Sequence, residues 1–224
     1  ITRSPRDLVL VPPDSWPGNA ERGLSILNKE FSFFGETVRG DLRTWRPGNM
    51  SEKWLAELHG FDWLRDLRAL GGDNARRQAR DLVNDWLTRQ SNWHEIAWRP
   101  DVIGNRIFCW LGQHDFFCAS ADDEYRRKYF SSLVRQSKHL SRTLLRGTSG
   151  CGLILAAKGL ITAGLSLPGH SSWVSQGLRA LDRACSQQIL ADGGHISRNP
   201  LVQTQVLRHL VDVRKALLAA QNEI

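Results

Sequence analysis

The chain reads as an all-α protein, a two-layer array of antiparallel helix hairpins of the (α/α) toroid or solenoid kind, with an irregular N-terminal arm. Three observations predict this. From about residue 61 onward, apolar residues recur at helical spacing with only short breaks. The segments are ~15–25 residues long and are joined by loops of ~2–8 residues, the lengths with which consecutive helices pack as antiparallel neighbours. One segment, Cys151 to Leu165, is apolar almost all round, and the next is amphipathic. That pairs an inner helix with an outer one. No sequence repeat supports a regular solenoid.

Residues 1–60 are the least regular. Pro12-Pro13, Pro17-Gly18 and Pro47-Gly48 punctuate them. Asn19 to Lys29 suits a short helix, and Phe31 to Phe34 reads as extended, with Gly35 turning it. Trp45 and Trp54 are expected to anchor this arm on the body, residues 61–224. Asp73 is placed to cap a helix over Asn74–Arg89, in which Ala75, Ala79, Leu82, Val83, Trp86 and Leu87 share a face. Arg99-Pro100 opens a helix expected to run to about Cys118. Asp122 opens another, to about Leu145, and residues 147–150 break the pattern. After the apolar helix, Pro168 to Ser171 stop the chain and cap Ser172–Leu190. Pro200 then starts a last helix, to Gln221.

With 41% hydrophobic residues among 224, the chain can bury a real core. No run approaches the ~18 apolar residues of a membrane span. The first residues lack the apolar core of a signal peptide. They also lack Met, so the true start is expected to lie upstream. The net charge of +7 favours an anionic partner: nucleic acid, acidic polysaccharide or acidic lipid. The charge is spread over helices that also carry acids, such as Asp123 to Arg142, and reads as a solvated face. The four cysteines lack metal-type spacing and are read as free thiols. That slightly favours the cytoplasm and leaves the periplasm open. No metal or other cofactor is implied.

The segment Asp192 to Pro200 (DGGHISRNP) gathers an imidazole, a hydroxyl, a guanidinium and an amide between two helices. Loops on rigid scaffolds are where such groups do chemistry. His195 is the candidate general base or carboxylate partner, against a histidine that only hydrogen-bonds its loop. Arg198 is the candidate bidentate grip on a carboxylate, against a surface arginine. Asn199 suits a helix cap better than a ligand. Arg106 stands four residues before Trp110, so the two can share a face as a sugar platform with a cation, or as an arginine stem packed on a ring. Lys158 sits in the most apolar helix and must find water, an acid or an anionic ligand. Of nine tryptophans, Trp63, Trp98, Trp110 and Trp173 are candidate sugar-stacking faces, with core packing as the alternative.

In this order and spacing, WLAELHGFDWLRDL (54–67), Trp98-Arg99-Pro100 followed by Arg106-Ile107 and Trp110, KGLITAG (158–164) and the 192–200 loop resemble the helical N-terminal domain of heparinase II/III-type proteins. The resemblance covers nearly the whole chain. It implies an incomplete (α/α) toroid followed by an antiparallel β domain, which this chain does not reach, so a fragment is expected. It also implies a polysaccharide lyase. Such an enzyme neutralises a uronate carboxylate, removes the adjacent proton and protonates the leaving oxygen. Where that family carries Asn, His and a second Asn along the inner helix, this chain has Cys151, Gly152 and Ala156. Where a Tyr and a His follow the loop, it has Val202 and Gln203. The only tyrosines are Tyr125 and Tyr129.

Two functions of different class follow. One is a lyase acting by β-elimination on an acidic polysaccharide, with His195 and Arg198 catalytic and Asn199, Arg106, Trp110, Lys158, Trp98 and Trp63 on the substrate. The other is a non-catalytic helical domain that binds anionic glycan or scaffolds a partner, including its own β domain. Nucleic-acid binding ranks below both, since no helix-turn-helix or basic-aromatic motif is present. Hydrolysis would need two carboxylates across a cleft, and Asp62 and Asp192 are the available loop acids.

Overall fold

The computed structural model describes residues 5–42, 45–90, 93–146, 148 and 150–222. The arm contributes α1 (Ala20–Leu27) and a hairpin of β1 (Glu30–Phe33) and β2 (Glu36–Arg39). The body contains α2 (Glu52–Gly60), α3 (Leu64–Leu70), α4 (Gly72–Arg89), α5 (Pro100–Gly112) and the short α6 (His114–Phe117). It continues through α7 (Asp123–Thr143), α8 (Gly150–Ser166), α9 (Ser172–Gln188) and α10 (Pro200–Asn222). The architecture is the predicted all-α, incomplete (α/α) toroid.

Local chemistry explains most element ends. Asn19 and Asp122 accept from the backbone N–H three residues on, at 3.0 and 2.8 Å, and so open α1 and α7 as expected. Three boundaries differ from the sequence reading. Helix α2 lies inside the stretch read as irregular. Ser51 caps it through the Trp54 N–H, and Phe61 ends it in a left-handed conformation, φ 62°. Helix α4 begins at Gly72, so Asp73 lies in its first turn and pairs with Arg76 rather than capping. The helix from Pro100 stops at Gly112 and restarts at His114, so Cys109 and Cys118 do not share one helix.

Helices α5 and α8 form the inner layer and run side by side in the same direction. Asp101 lies beside Gly152, and Gly104 lies against Leu155, Ala156 and Gly159. A Cβ on Gly159 would stand 2.3 Å from the Gly104 carbonyl oxygen, so only glycine permits this crossing. Helix α7 packs antiparallel on α5, joined by Tyr129 Oη to the Trp110 carbonyl at 2.9 Å. Helix α9 packs antiparallel on α8, with Gly177 against Ile161 and Ala157. The N-termini of α5 and α8, the C-termini of α7 and α9, and the 192–200 loop therefore gather at one end.

The other end of α5 holds an aromatic core. The Phe61 ring lies 4.9 to 6.1 Å from Trp45, Trp63, Trp86 and Trp110. Trp45 and Trp54 are fully buried and anchor the arm through Nε1, to Asp85 at 2.8 Å and to the Glu36 carbonyl at 3.1 Å. Among the described residues, no helix is long and apolar enough to cross a membrane.

Candidate functional site

The 192–200 loop is a tight knot closed by its own backbone. Ile189 and His195 pair as an isolated bridge. Leu190 donates to the Gly194 carbonyl at 2.9 Å, and Ile196 donates to the Gln188 carbonyl at 2.8 Å. Gly193 turns the chain with φ 80°, a conformation that suits glycine. Gln203, one turn into α10, clamps the loop from outside. Its Oε1 accepts from the His195 N–H at 2.5 Å, and its Nε2 donates to the Gly193 carbonyl at 3.2 Å.

His195 lies inside this knot, only 5% exposed. The Ser197 N–H donates to its Nδ1 at 3.1 Å, so Nδ1 carries the lone pair and the hydrogen sits on Nε2. Nε2 faces Gln188 Oε1 at 3.1 Å. That amide cannot turn, because its Nε2 donates to the Ala184 carbonyl at 3.1 Å. Cys151 Sγ, on the first turn of α8, stands 3.7 Å from His195 Nε2 and 3.6 Å from Gln188 Oε1. Burial pushes the Cys151 thiol up. Thiol, amide and imidazole thus form a mutually satisfied cluster. Gln188 and Gln203 carry it, and sequence reading singled out neither as a clamp. Their signal was a glutamine on each helix flanking the loop.

Arg198 and Asn199 lie outside the knot. Arg198 has φ 52° and pairs with Asp192 at 2.7 Å, both more than half exposed. The Arg198 guanidinium and the Gly194 N–H hold the Asp192 carboxylate below its usual range. Asn199 Oδ1 accepts from the Leu201 N–H at 2.9 Å and opens α10.

The remaining candidates do not join this loop. Arg106 is fully buried. It donates to Gln136 Oε1 at 2.7 Å, the His59 carbonyl at 2.8 Å and the Ala97 carbonyl at 2.9 Å. Its guanidinium lies 4.2 Å from the Trp86 ring centroid and 6.0 Å from that of Trp110. Burial lowers its pKa to about 9. Trp63 and Trp110 are fully buried, so neither presents a face to solvent. Trp173 stacks on His170, with ring centroids 4.0 Å apart.

Lys158 is buried in an ion pair with Asp212 of α10 at 3.2 Å, both side chains 1% exposed. It also meets His209 Nδ1 at 3.3 Å and lies 3.9 Å from the Phe108 ring centroid. Burial lowers the Lys158 pKa, against the pull of Asp212. Asp212 Oδ1 accepts from Trp16 Nε1 at 2.5 Å, so this pair ties the arm to α8 and α10. Nearby, Asp14 accepts from Arg65 and Gln113, each at 2.6 Å.

Each acid considered for hydrolysis is committed to an arginine, Asp62 to Arg65 and Asp192 to Arg198. Burial raises the Asp62 pKa, but Arg65 outweighs it and the carboxyl titrates below its usual range. Among the described residues, no group of His, Cys, Asp and Glu is gathered as a metal site.

Trp98 lines a surface cleft at the same end as the loop. It is 7% exposed, with His139 edge-on at 5.2 Å and the Arg135 guanidinium 5.6 Å from its ring centroid.

Comparison with known proteins agrees with this architecture. The family model described as "Heparinase II/III N-terminus" matches residues 28–223. The chain is 30% identical over 228 residues to FtsZ-localized protein C of Caulobacter vibrioides (strain NA1000 / CB15N), covering 95% of this chain and 37% of that protein. Among solved structures it resembles heparan sulfate lyase HepC from Pedobacter heparinus, with TM-score 0.65, 16% identity, and coverage of 89% of this chain and 37% of that one. It also resembles the heparinase III-BT4657 gene product, with TM-score 0.68, 18% identity, and coverage of 94% and 38%. At these identities the structural likeness shows the fold. The chain spans little more than a third of the length of the curated relative it matches. With the family match running over most of its length, the chain belongs to the heparinase II/III N-terminal family.

Proposed function

We propose that this domain binds an acidic polysaccharide without supplying the proton-transfer groups of β-elimination. The state of His195 carries the reading. Elimination needs a base that reaches the substrate. The hydrogen here sits on Nε2, the ring is buried, and both nitrogens already have partners. The sequence around it agrees, since Cys151 and Gly152 stand where the family's lyases carry Asn and His. The net charge of +7 supports an anionic ligand. The test uses the intact natural polypeptide with heparan sulfate, chondroitin sulfate and alginate. Binding is followed by calorimetry, and elimination by the ultraviolet absorbance of the conjugated double bond it creates. Binding without new absorbance is expected. An absorbance rise that His195→Ala abolishes would instead establish the lyase reading.

A second reading rests on the curated relative. Its printed name says that it is localised with FtsZ, and its likeness runs along 95% of this chain. On this reading the domain is a scaffold that shares that location. A fluorescent fusion in the native cell should then co-localise with FtsZ. A diffuse signal would remove the reading.

A further inference from the structure

We propose that the outward face of α7 is a binding track for an acidic polysaccharide strand, distinct from the His195 loop. This rests on the glycan-binding reading and adds its location. Two clefts run along α7 and meet at Ser131. The first, about 520 Å³, is lined by Trp98, Val134, Arg135, Lys138, His139 and Arg142 beside Ser131. The second, about 530 Å³, is lined by Arg6, Arg126, Arg127 and Lys128, with Asp123 at its edge. From Arg126 to Arg142 the track is about 24 Å long at the helical rise of ~1.5 Å per residue. A single small anion does not need that length; a linear polyanion does.

The charge along the track is one-sided. No Asp or Glu occurs anywhere from Tyr125 to Leu181. Among the described residues, acids touch only its N-terminal part, where Glu124 takes Lys128 and Asp7 takes Arg126. Among the described residues, no carboxylate lies within ion-pair distance of Arg127, Arg135, Lys138 or Arg142. Spaced three to four residues apart, Arg135, Lys138 and Arg142 lie along one stripe of the helix. Like charges kept together without counter-ions attract a polyanion and repel one another without it.

The lining favours a sugar polymer over other polyanions. Single-stranded nucleic acid needs open aromatic faces for base stacking. The aromatics here are Phe130, fully buried, and Trp98, whose face lies under Arg135. A lipid surface would call for large exposed apolar side chains, and the clefts offer only the half-buried Val134. Sulfate or carboxylate groups along a glycan would instead meet guanidinium groups that can grip them bidentately.

The test compares the intact polypeptide with Arg135→Gln/Lys138→Gln/Arg142→Gln. The control is Arg39→Gln/Arg76→Gln/Arg89→Gln, which removes the same charge from arginines paired elsewhere on the surface. Binding of size-defined heparan sulfate oligosaccharides is measured at several salt concentrations, with thermal melting to confirm folding. The α7 variant should lose about tenfold in affinity or more and show a shallower salt dependence, while the control stays within about twofold. Equal losses in both variants, or none in the α7 variant, would overturn the track and leave glycan binding standing. No binding by the unmodified protein would remove both. Tighter α7-dependent binding of single-stranded DNA or of phosphatidylglycerol vesicles than of heparan sulfate would overturn the choice of polysaccharide.

Discussion

Cys151 Sγ lies 3.7 Å from His195 Nε2, and both groups address the same oxygen, Gln188 Oε1. The pair looks like a thiol activated by a base and is not one. An activating imidazole accepts the thiol proton. Here the Ser197 N–H occupies Nδ1, so Nε2 already carries a hydrogen, directed at Gln188 Oε1, and has no lone pair with which to take the thiol proton.

This arrangement predicts an inert thiol. Burial holds Cys151 above its ordinary pKa, so iodoacetamide should label it at neutral pH more slowly than free cysteine. Mass spectrometry of the labelled protein gives the rate. His195→Ala should leave the rate unchanged or raise it by opening the cluster. A rate that falls in the variant would mean that the imidazole activates the sulfur.

Lys158 and Asp212 form the buried pair that fixes Trp16 of the arm to α8 and α10. Replacing Lys158 with Met leaves Asp212 charged and uncompensated, and should cost about 3–5 kcal/mol in urea unfolding. Lys158→Met/Asp212→Leu should recover most of that loss. If the lysine serves a glycan instead, the single variant should lose affinity with little change in stability.

Arg106 holds two backbone carbonyls and Gln136 from inside the core. Arg106→Met would orphan those acceptors and should destabilise the fold by about 3 kcal/mol or more. Glycan affinity, measured below the melting temperature, should be unchanged. Lost affinity at wild-type stability would return Arg106 to the ligand.

Acid should unfold the protein through histidines kept neutral. Burial, then Arg106, lowers His59 to about 3, and burial, then Lys158, lowers His209 to about 2. The unfolded chain takes up these protons near pH 6.5. The stability they contribute is therefore complete above that pH and is lost as pH falls toward the folded values. Each can contribute up to roughly 1.4 kcal/mol per pH unit. Glu57 acts in the opposite sense. Burial, then Asp62, raises it from 4.5 to about 7, so its contribution is lost as pH rises across that range. Below pH 4.5 Glu57 no longer offsets the histidines, and the depressed Asp62 carboxyl adds to the same slope, so the His59 and His209 share is the part of it that His59→Gln and His209→Gln remove in chemical denaturation. A slope there unchanged by those substitutions would contradict the neutral histidines.

The fold was legible where one signal dominated. The apolar run of α8 announced an inner helix, and Asp122 and Asn199 marked helix starts that the structure places at Asp123 and Pro200. Helix α2 was hidden because Pro47-Gly48 precede it and its cap, Ser51, opens only nine residues. The site was less legible. Trp63, Trp110 and Arg106 follow the same helical spacing whether they face a cleft or the core, and only tertiary packing separates the two. The basic stripe of α7 was visible, but Asp123 and Glu124 made it look balanced. In the fold, those acids lie at one end, away from Arg135, Lys138 and Arg142.

The most direct measurement follows ultraviolet absorbance while the intact natural polypeptide is incubated with heparan sulfate, chondroitin sulfate and alginate, with His195→Ala alongside. The buried, donor-only Nε2 of His195 predicts no unsaturated product on any of them, with binding retained by both proteins. Product formed by the unmodified protein and lost in His195→Ala would contradict the account, because it would require that imidazole to leave its partners and meet substrate.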